Sequence, residues 1–176
     1  MLLHLRRSAI ITVIFFAVLG LLYPLAETAI GQLAFSHQAN GSLTRYGSTL
    51  VGQKWSGPKW FHGRPDGYNP MSTGGTNLGP RSHTLETDVA KQVATLEKDG
   101  IAPTSGLVTT SGSGVDPDIS PAAAYAQVDA VATARGLPTS QIRQLVTSHI
   151  SGAQFGFLGS PYVNVLLLNE ALSALK

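Results

Sequence analysis

Hydrophobic positions are distributed unevenly along the chain. Residues 9–26, AIITVIFFAVLGLLYPLA, carry no charge, whereas the rest alternates short apolar segments with glycine- and proline-rich punctuation. Eleven of these eighteen residues are Leu, Ile, Val or Phe. At roughly 0.3 to 0.6 kcal/mol each for central positions, they favour bilayer insertion by about 3 to 6 kcal/mol, less what Thr12, Gly20 and Pro24 take back. The run exceeds the roughly 7 to 15 residues of a signal-peptide core. Cleavage after Ala29 or Ala26 would put Glu27 or Pro24 at the third position back, so an uncleaved helical anchor is expected. Beyond Pro24, the positions Ala26, Ala29, Ile30 and Leu33 keep a helical stripe. The helix is therefore expected to kink at the proline and continue for an amphipathic turn or two. The organisation expected is residues 1–35 as N-terminus and anchor, 36–45 as linker, and 46–176 as one domain.

Within that domain, Ser48 to Trp55 (STLVGQKW) reads as a first strand, with Gly52 marking a bulge. A helix is expected after Ser82. Leu85, Val89, Val93 and Leu96 recur at helical spacing, Glu86 and Asp88 sit early, Lys98 sits late, and Gly100 ends it. Residues 106–110 read as a short β-like piece. Ser120 followed by Pro121 then starts a helix to about Arg135, because the hydroxyl accepts an orphan amide and proline has none to waste. A further helix is expected from Thr139 or Ser140, with Ile142, Leu145, Val146 and His149 on one face. Tyr162 to Leu168 (YVNVLLL) reads as a buried strand, leading into a helix over 169–176. The class expected is α+β, a small sheet covered by helices on at least one side.

Charge adds an orientation. Arg6 and Arg7 precede the apolar run and the next positive residue is Arg45, so the positive-inside rule puts the N-terminus in the cytoplasm and the domain outside it. A net charge of +2 gives no indication of nucleic-acid binding. The absence of cysteine excludes disulfides, thiolate metal sites and cysteine nucleophiles.

Candidate chemistry is sparse. No Gly-Lys pair exists for a phosphate-binding loop of the usual type. STGGTNLG could supply amides for an anion nest through Ser72, Gly74, Gly75 and Asn77, but turn formation is the simpler role for such glycines. Ser111 or Ser113 with His62, His83 or His149 and Asp116 are the raw materials of a hydrolase, without a nucleophile elbow. Asp116 and Asp118 could contribute oxygens to a hard cation, or bond backbone amides in a proline turn ahead of a helix. No His/Glu/Asp spacing supports zinc. The stretch 61–83 carries Phe61, Tyr68 and Leu78 among its glycines, an apolar content that argues for an ordered loop.

GSTLVGQKW, FHGRPDGYNPMSTGGTNLGP, TSGSGVDPDISPAAAYAQVDAVATARGL and SPYVNVLLLNEAL follow one another between Gly47 and Leu172. They resemble the successive signature blocks of the C subunit of the Kdp-type potassium-transporting P-type ATPase. The resemblance implies a bacterial or archaeal inner-membrane complex. In it a channel-like A subunit selects potassium and a B subunit hydrolyses ATP, with a small F subunit as a further candidate member. Potassium, ATP and magnesium would belong to the complex, and this chain would hold no cofactor of its own. It lacks the Asp-Lys-Thr-Gly-Thr phosphorylation sequence, consistent with a non-catalytic subunit. The resemblance implies a catalytic chaperone that raises the ATP affinity of the ATPase subunit; the other role considered is a domain docked on the outer face of the channel-like subunit, stabilising the complex and shaping potassium access. The charge bias places the loops outside, away from cytoplasmic ATP, and so favours docking. Arg64, Asp66, Asn77, Ser113, Asp116 and Asp118 would then face the partner or brace the loops. A solitary membrane-anchored hydrolase or binding protein is the alternative outside the family.

Overall fold

The structure, a computed structural model, describes residues 2–175 and divides into two compact units, up to Leu43 and from Thr44 onward. In the first unit, α1 (Leu2–Ala17) runs through a π-helical turn, Val18–Leu22, into α2 (Tyr23–Ala34). The 33 residues Leu2–Ala34 form one helical run long and apolar enough to cross a membrane. Next to Pro24, where a kink is expected, the helical pitch changes and the helix continues. Proline has no N–H and its ring crowds the carbonyl one turn back. The N–H of Tyr23 bonds to the carbonyl of Val18, five residues earlier, so the widened turn comes immediately before the proline. Residues 36–45 are more ordered than a linker. Ser36–Ala39 forms a helical turn (α3), and the Asn40 amide pairs with Gln32 at 3.1 Å and bonds the Ser36 carbonyl at 2.7 Å.

The second unit is α+β. A tight turn, in which the Thr44 hydroxyl donates to Gly47 O at 3.1 Å, lies between the two-residue strands β1 (Leu43–Thr44) and β2 (Gly47–Ser48). The strand expected over Ser48–Trp55 ends there, because the following residues bond to a distant loop rather than to a neighbouring strand. Helix α4 (His83–Lys98) starts and stops where expected: Ser82 Oγ accepts from Leu85 N, and Gly100 takes φ +71° beyond the last turn. The expected β-like piece at 106–110 is instead a single helical turn, α5 (Ser105–Val108).

The sheet that organises the core has three short antiparallel strands, β3 (Asp118–Ile119), β4 (Ile150–Ser151) and β5 (Tyr162–Asn164), with β5 central. Asp118 lies opposite Asn164 and Ile150 opposite Val163. Ser120 caps α6 (Pro121–Ala126) through Ala123 N at 3.2 Å. The helix expected to run on to Arg135 is interrupted at Gln127 and resumes as α7 (Val128–Arg135), closed by Gly136 at φ +67°. Helix α8 (Thr139–Ser148) buries Ile142 and Val146.

Strand β5 is shorter than the apolar run YVNVLLL suggests. Asn164 Oδ1 accepts from Leu167 N at 3.2 Å and converts the run into helix α9 (Val165–Ala174). Its buried positions, Val165, Leu166, Leu168, Asn169 and Leu172, follow helical periodicity. Val165, Leu168 and Leu172 pack with Ile119, Val128, Val163 and Phe61 into one core.

Candidate functional site: two interlocked glycine-rich loops

The long segment between Phe61 and Ser82 contains no helix or strand among its described residues, yet its backbone is held at both ends and in the middle. At the start, two buried amide side chains stand in for a neighbouring strand. Asn169 Oδ1 accepts from Phe61 N at 2.9 Å and its Nδ2 donates to Phe61 O at 2.9 Å. Gln127 does the same for the next residue, accepting from His62 N at 2.8 Å and donating to His62 O at 3.0 Å. Gln127 and Asn169 are fully buried, so backbone groups that no sheet could pair are satisfied inside the core. The break between α6 and α7 falls at this residue. Neither amide was singled out from sequence, and no local signal marks them. A buried polar residue on an otherwise apolar helix face, as Asn169 is within VLLLNEAL, is the nearest thing to one.

Further along, Asp66 is the hub. Its carboxylate accepts from Ser111 N at 2.7 Å, Ser111 Oγ at 2.6 Å and Asp116 N at 3.1 Å. Arg64 reaches the same second loop, donating to Thr109 Oγ1 at 3.2 Å and Thr110 O at 3.0 Å. Backbone bonds complete the closure: Tyr68 N to Gly114 O, Gly74 N to Ser113 O and Gly52 N to Val115 O. Tyr68 O–H donates to Arg64 O at 2.6 Å. Burial raises the Tyr68 phenol well above its usual range, and the carboxylates of Asp66 and Asp116 raise it further, so it stays a donor at every physiological pH.

Close approach explains the glycines. A Cβ on Gly52 would collide with the carbonyl oxygen of Asp116 and stand 2.7 Å from the Tyr68 ring, and one on Gly75 would meet Gly112 O at 3.3 Å. Gly52→Ala is therefore expected to destabilise the domain by about 2 kcal/mol through overpacking, measured by urea unfolding.

The candidates named from sequence are distributed over this lattice. Arg64, Asp66 and Ser113 lie inside it, Ser113 Oγ meeting Ser111 Oγ at 3.2 Å and accepting from Val115 N at 3.2 Å. Asp116 Oδ1 accepts from Asp118 N at 3.0 Å, and Asp118 Oδ1 accepts from Asn164 Nδ2 at 2.9 Å. Both carboxylates thus bond amides at the entrance to β3. Of STGGTNLG, Gly74 spends its amide on the second loop and Ser72 N bonds Asn69 O at 3.1 Å, while Asn77 is exposed at φ +56°. Ser111 bonds Asp66 rather than a histidine. The His62 ring lies 3.1 Å from the carbonyls of Trp55 and Gly57, and His83 is exposed beside Glu86. A cleft of about 220 Å³ opens between this loop and α4, lined by Trp55, Arg64, Gln92 and Asp99.

Burial raises the Asp118 carboxyl above its usual range; the Asn164 bond opposes this and the Asp116 charge adds to it. A carboxyl whose folded pKa lies above its unfolded value binds its proton more tightly in the folded state. Its contribution is most favourable below the unfolded pKa and declines as pH rises through the folded one. Asp118→Asn is expected to abolish that decline, read as a flatter profile of melting temperature through the mildly acidic range.

The sequence of this loop lattice and its flanks recurs in known proteins. Residues 5–174 match the family described as K+-transporting ATPase, c chain (KdpC). The chain belongs to the KdpC family. A potassium-transporting ATPase KdpC subunit of Caulobacter vibrioides is 45% identical over 186 residues, covering 99% of this chain and 94% of the relative. One of Sorangium cellulosum is 45% identical over 190 residues, covering all of both chains. One of Acidobacterium capsulatum is 44% identical over 178 residues, covering 96% and 97%. The family match spans the apolar helix as well as both glycine-rich loops. The KdpC resemblance read from the four sequence blocks therefore holds across the whole chain.

Proposed function

We propose that this KdpC-family chain is a non-catalytic accessory subunit of a high-affinity, ATP-driven potassium uptake complex. The helix over residues 2–34 anchors it in the bacterial plasma membrane, and the domain from residue 44 lies outside the cytoplasm. There it docks on the outer face of the channel-like subunit, stabilises the assembly and shapes potassium access to the filter. It holds no cofactor; ATP, magnesium and potassium belong to its partners, the channel-like A and ATP-hydrolysing B subunits with a small F subunit.

The observation that carries this reading is the internal consumption of the loops' polar groups. Asp66, Arg64, Ser111 and the Gly74 amide bond one another's loops, which favours a rigid recognition surface over an open reaction centre. Arg6 and Arg7 ahead of the uncharged run 9–26, with no further positive charge until Arg45, favour an outside domain. That placement separates STGGTNLG from cytoplasmic ATP.

Because the chain has no cysteine, a single Ser173→Cys substitution on exposed α9 surface reports the side of the domain. Labelling of intact spheroplasts with a membrane-impermeant maleimide is expected. Labelling only after permeabilisation would reverse the orientation and favour the role of raising ATP affinity. Potassium uptake that survives deletion of residues 46–176 would sink the docking role.

A further inference from the structure

Beyond the loop lattice, the chain between β4 and β5 forms a hairpin whose tip is apolar and faces solvent. Gln154 N donates to Leu158 O at 2.8 Å and Leu158 N donates to Gln154 O at 2.9 Å, closing a three-residue loop of Phe155, Gly156 and Phe157. Phe155 is 81% exposed, Phe157 76% and Leu158 49%. Phe155 takes φ +54°, a conformation costly for a residue with a Cβ, and Gly156 follows at φ +83°. The turn thus spends conformational energy to hold two aromatic rings away from the domain's own core. None of the residues 150–169 is charged, so no ionised side chain of the hairpin itself opposes its entry into an apolar layer.

We propose that the Phe155–Leu158 tip inserts into the interfacial layer of a lipid bilayer, giving the domain a second, shallow contact with the membrane. The proposal rests on the reading of residues 2–34 as a membrane anchor. From Ala34 to Thr44 the tether is ten residues. So short a connection to the anchor helix keeps the domain within reach of the bilayer surface. A convex, uncharged knob with two phenyl rings and a leucine suits the boundary between headgroups and acyl chains.

The test uses the full chain reconstituted in vesicles of phosphatidylethanolamine and phosphatidylglycerol. A polarity-sensitive fluorophore is attached at Gln154→Cys, or at Ser140→Cys on exposed α8 as a control. Quenching by lipids spin-labelled near the headgroup is expected to be at least fivefold stronger at position 154. Phe155→Ser with Phe157→Ser should reduce it to the control level without lowering the melting temperature. Equal, weak quenching at both positions overturns the proposal. So does a position-154 label that becomes shielded only in the purified complex with the remaining subunits, which would assign the tip to a protein surface. Flotation in alkaline carbonate separates the two readings: a chain that fails to float removes the anchor itself, whereas one that floats without quenching at 154 removes only the tip contact.

Discussion

Asn169→Leu is expected to lower the stability of the domain by about 4 kcal/mol, although leucine keeps the branched heavy-atom skeleton of asparagine and is at home in a core. The substitution leaves no cavity, so the cost is chiefly that of the orphaned polar groups, with some overpacking by the bulkier methyl groups. Asn169 is the sole partner shown for both Phe61 N and Phe61 O, in a residue with no exposed surface. Orphaning a buried donor or acceptor costs about 1 to 3 kcal/mol each, and two are orphaned together. For a domain of residues 44–176 the loss corresponds to roughly 15 °C in melting temperature. Thermal unfolding followed by circular dichroism reads it, and hydrogen exchange at the Phe61 amide should accelerate in step. A loss below about 1 kcal/mol would mean that the Phe61 backbone finds other partners and that the amide clamp is dispensable.

Asp66→Ala should cost nearly as much, about 3 to 4 kcal/mol, by a different route. Three donors on the second loop converge on one carboxylate, and hydrogen bonds to a charged group contribute about 1.5 to 3 kcal/mol each, discounted here because the carboxylate is partly exposed. Asp66→Asn retains one acceptor oxygen and should lose about half as much. The distinguishing readout is local: limited proteolysis should cut within residues 69–80 and 109–115 in the alanine variant while α8 and α9 remain protected. Uniform digestion would show that the two loops do not open as a unit. Recovery of the partner subunits with a tagged Asp66→Ala chain should also fall, since the proposed docking surface depends on the lattice.

The elements read correctly from sequence are those whose signals lie within a few residues. Ser82 with Gly100, and Ser120 with Pro121, bracket helices because capping is a contact between near neighbours. The start of α9 was hidden by composition. An apolar run of five to seven residues suits a buried strand as well as a helix, and Asn164 acting as a cap inside it decided the outcome. Ser48–Trp55 failed as a strand for a non-local reason: Gly52 bonds Val115, some sixty residues on, and no pattern within the segment announces it. Residues 106–110 failed for want of length, since a single helical turn and a short strand present the same few apolar side chains.

Part of the loop lattice was likewise legible. Arg64, Asp66 and Ser113 stood out as charged or hydroxyl residues among glycines, and they lie together. The clamps Gln127 and Asn169 did not stand out, because their partners are main-chain atoms 65 and 108 residues away in sequence. A side chain that recognises backbone leaves no trace in the identity of what it recognises.

The same long separations set the order in which the domain can form. Thr49 is held by Asn164, 115 residues later, and Phe61 by Asn169. On a chain synthesised from its N-terminus, neither contact is available until Asn164 and Asn169 have emerged. The strands are only two or three residues long and cannot nucleate a stable sheet early. The loop segments would therefore stay unpaired through most of synthesis and close in a late, cooperative step. With so many contacts non-local, that step should be slow on the scale of small domains. Truncation of α9 would arrest the whole domain before closure, leaving a chain that a protease finds open from Gly47 onward.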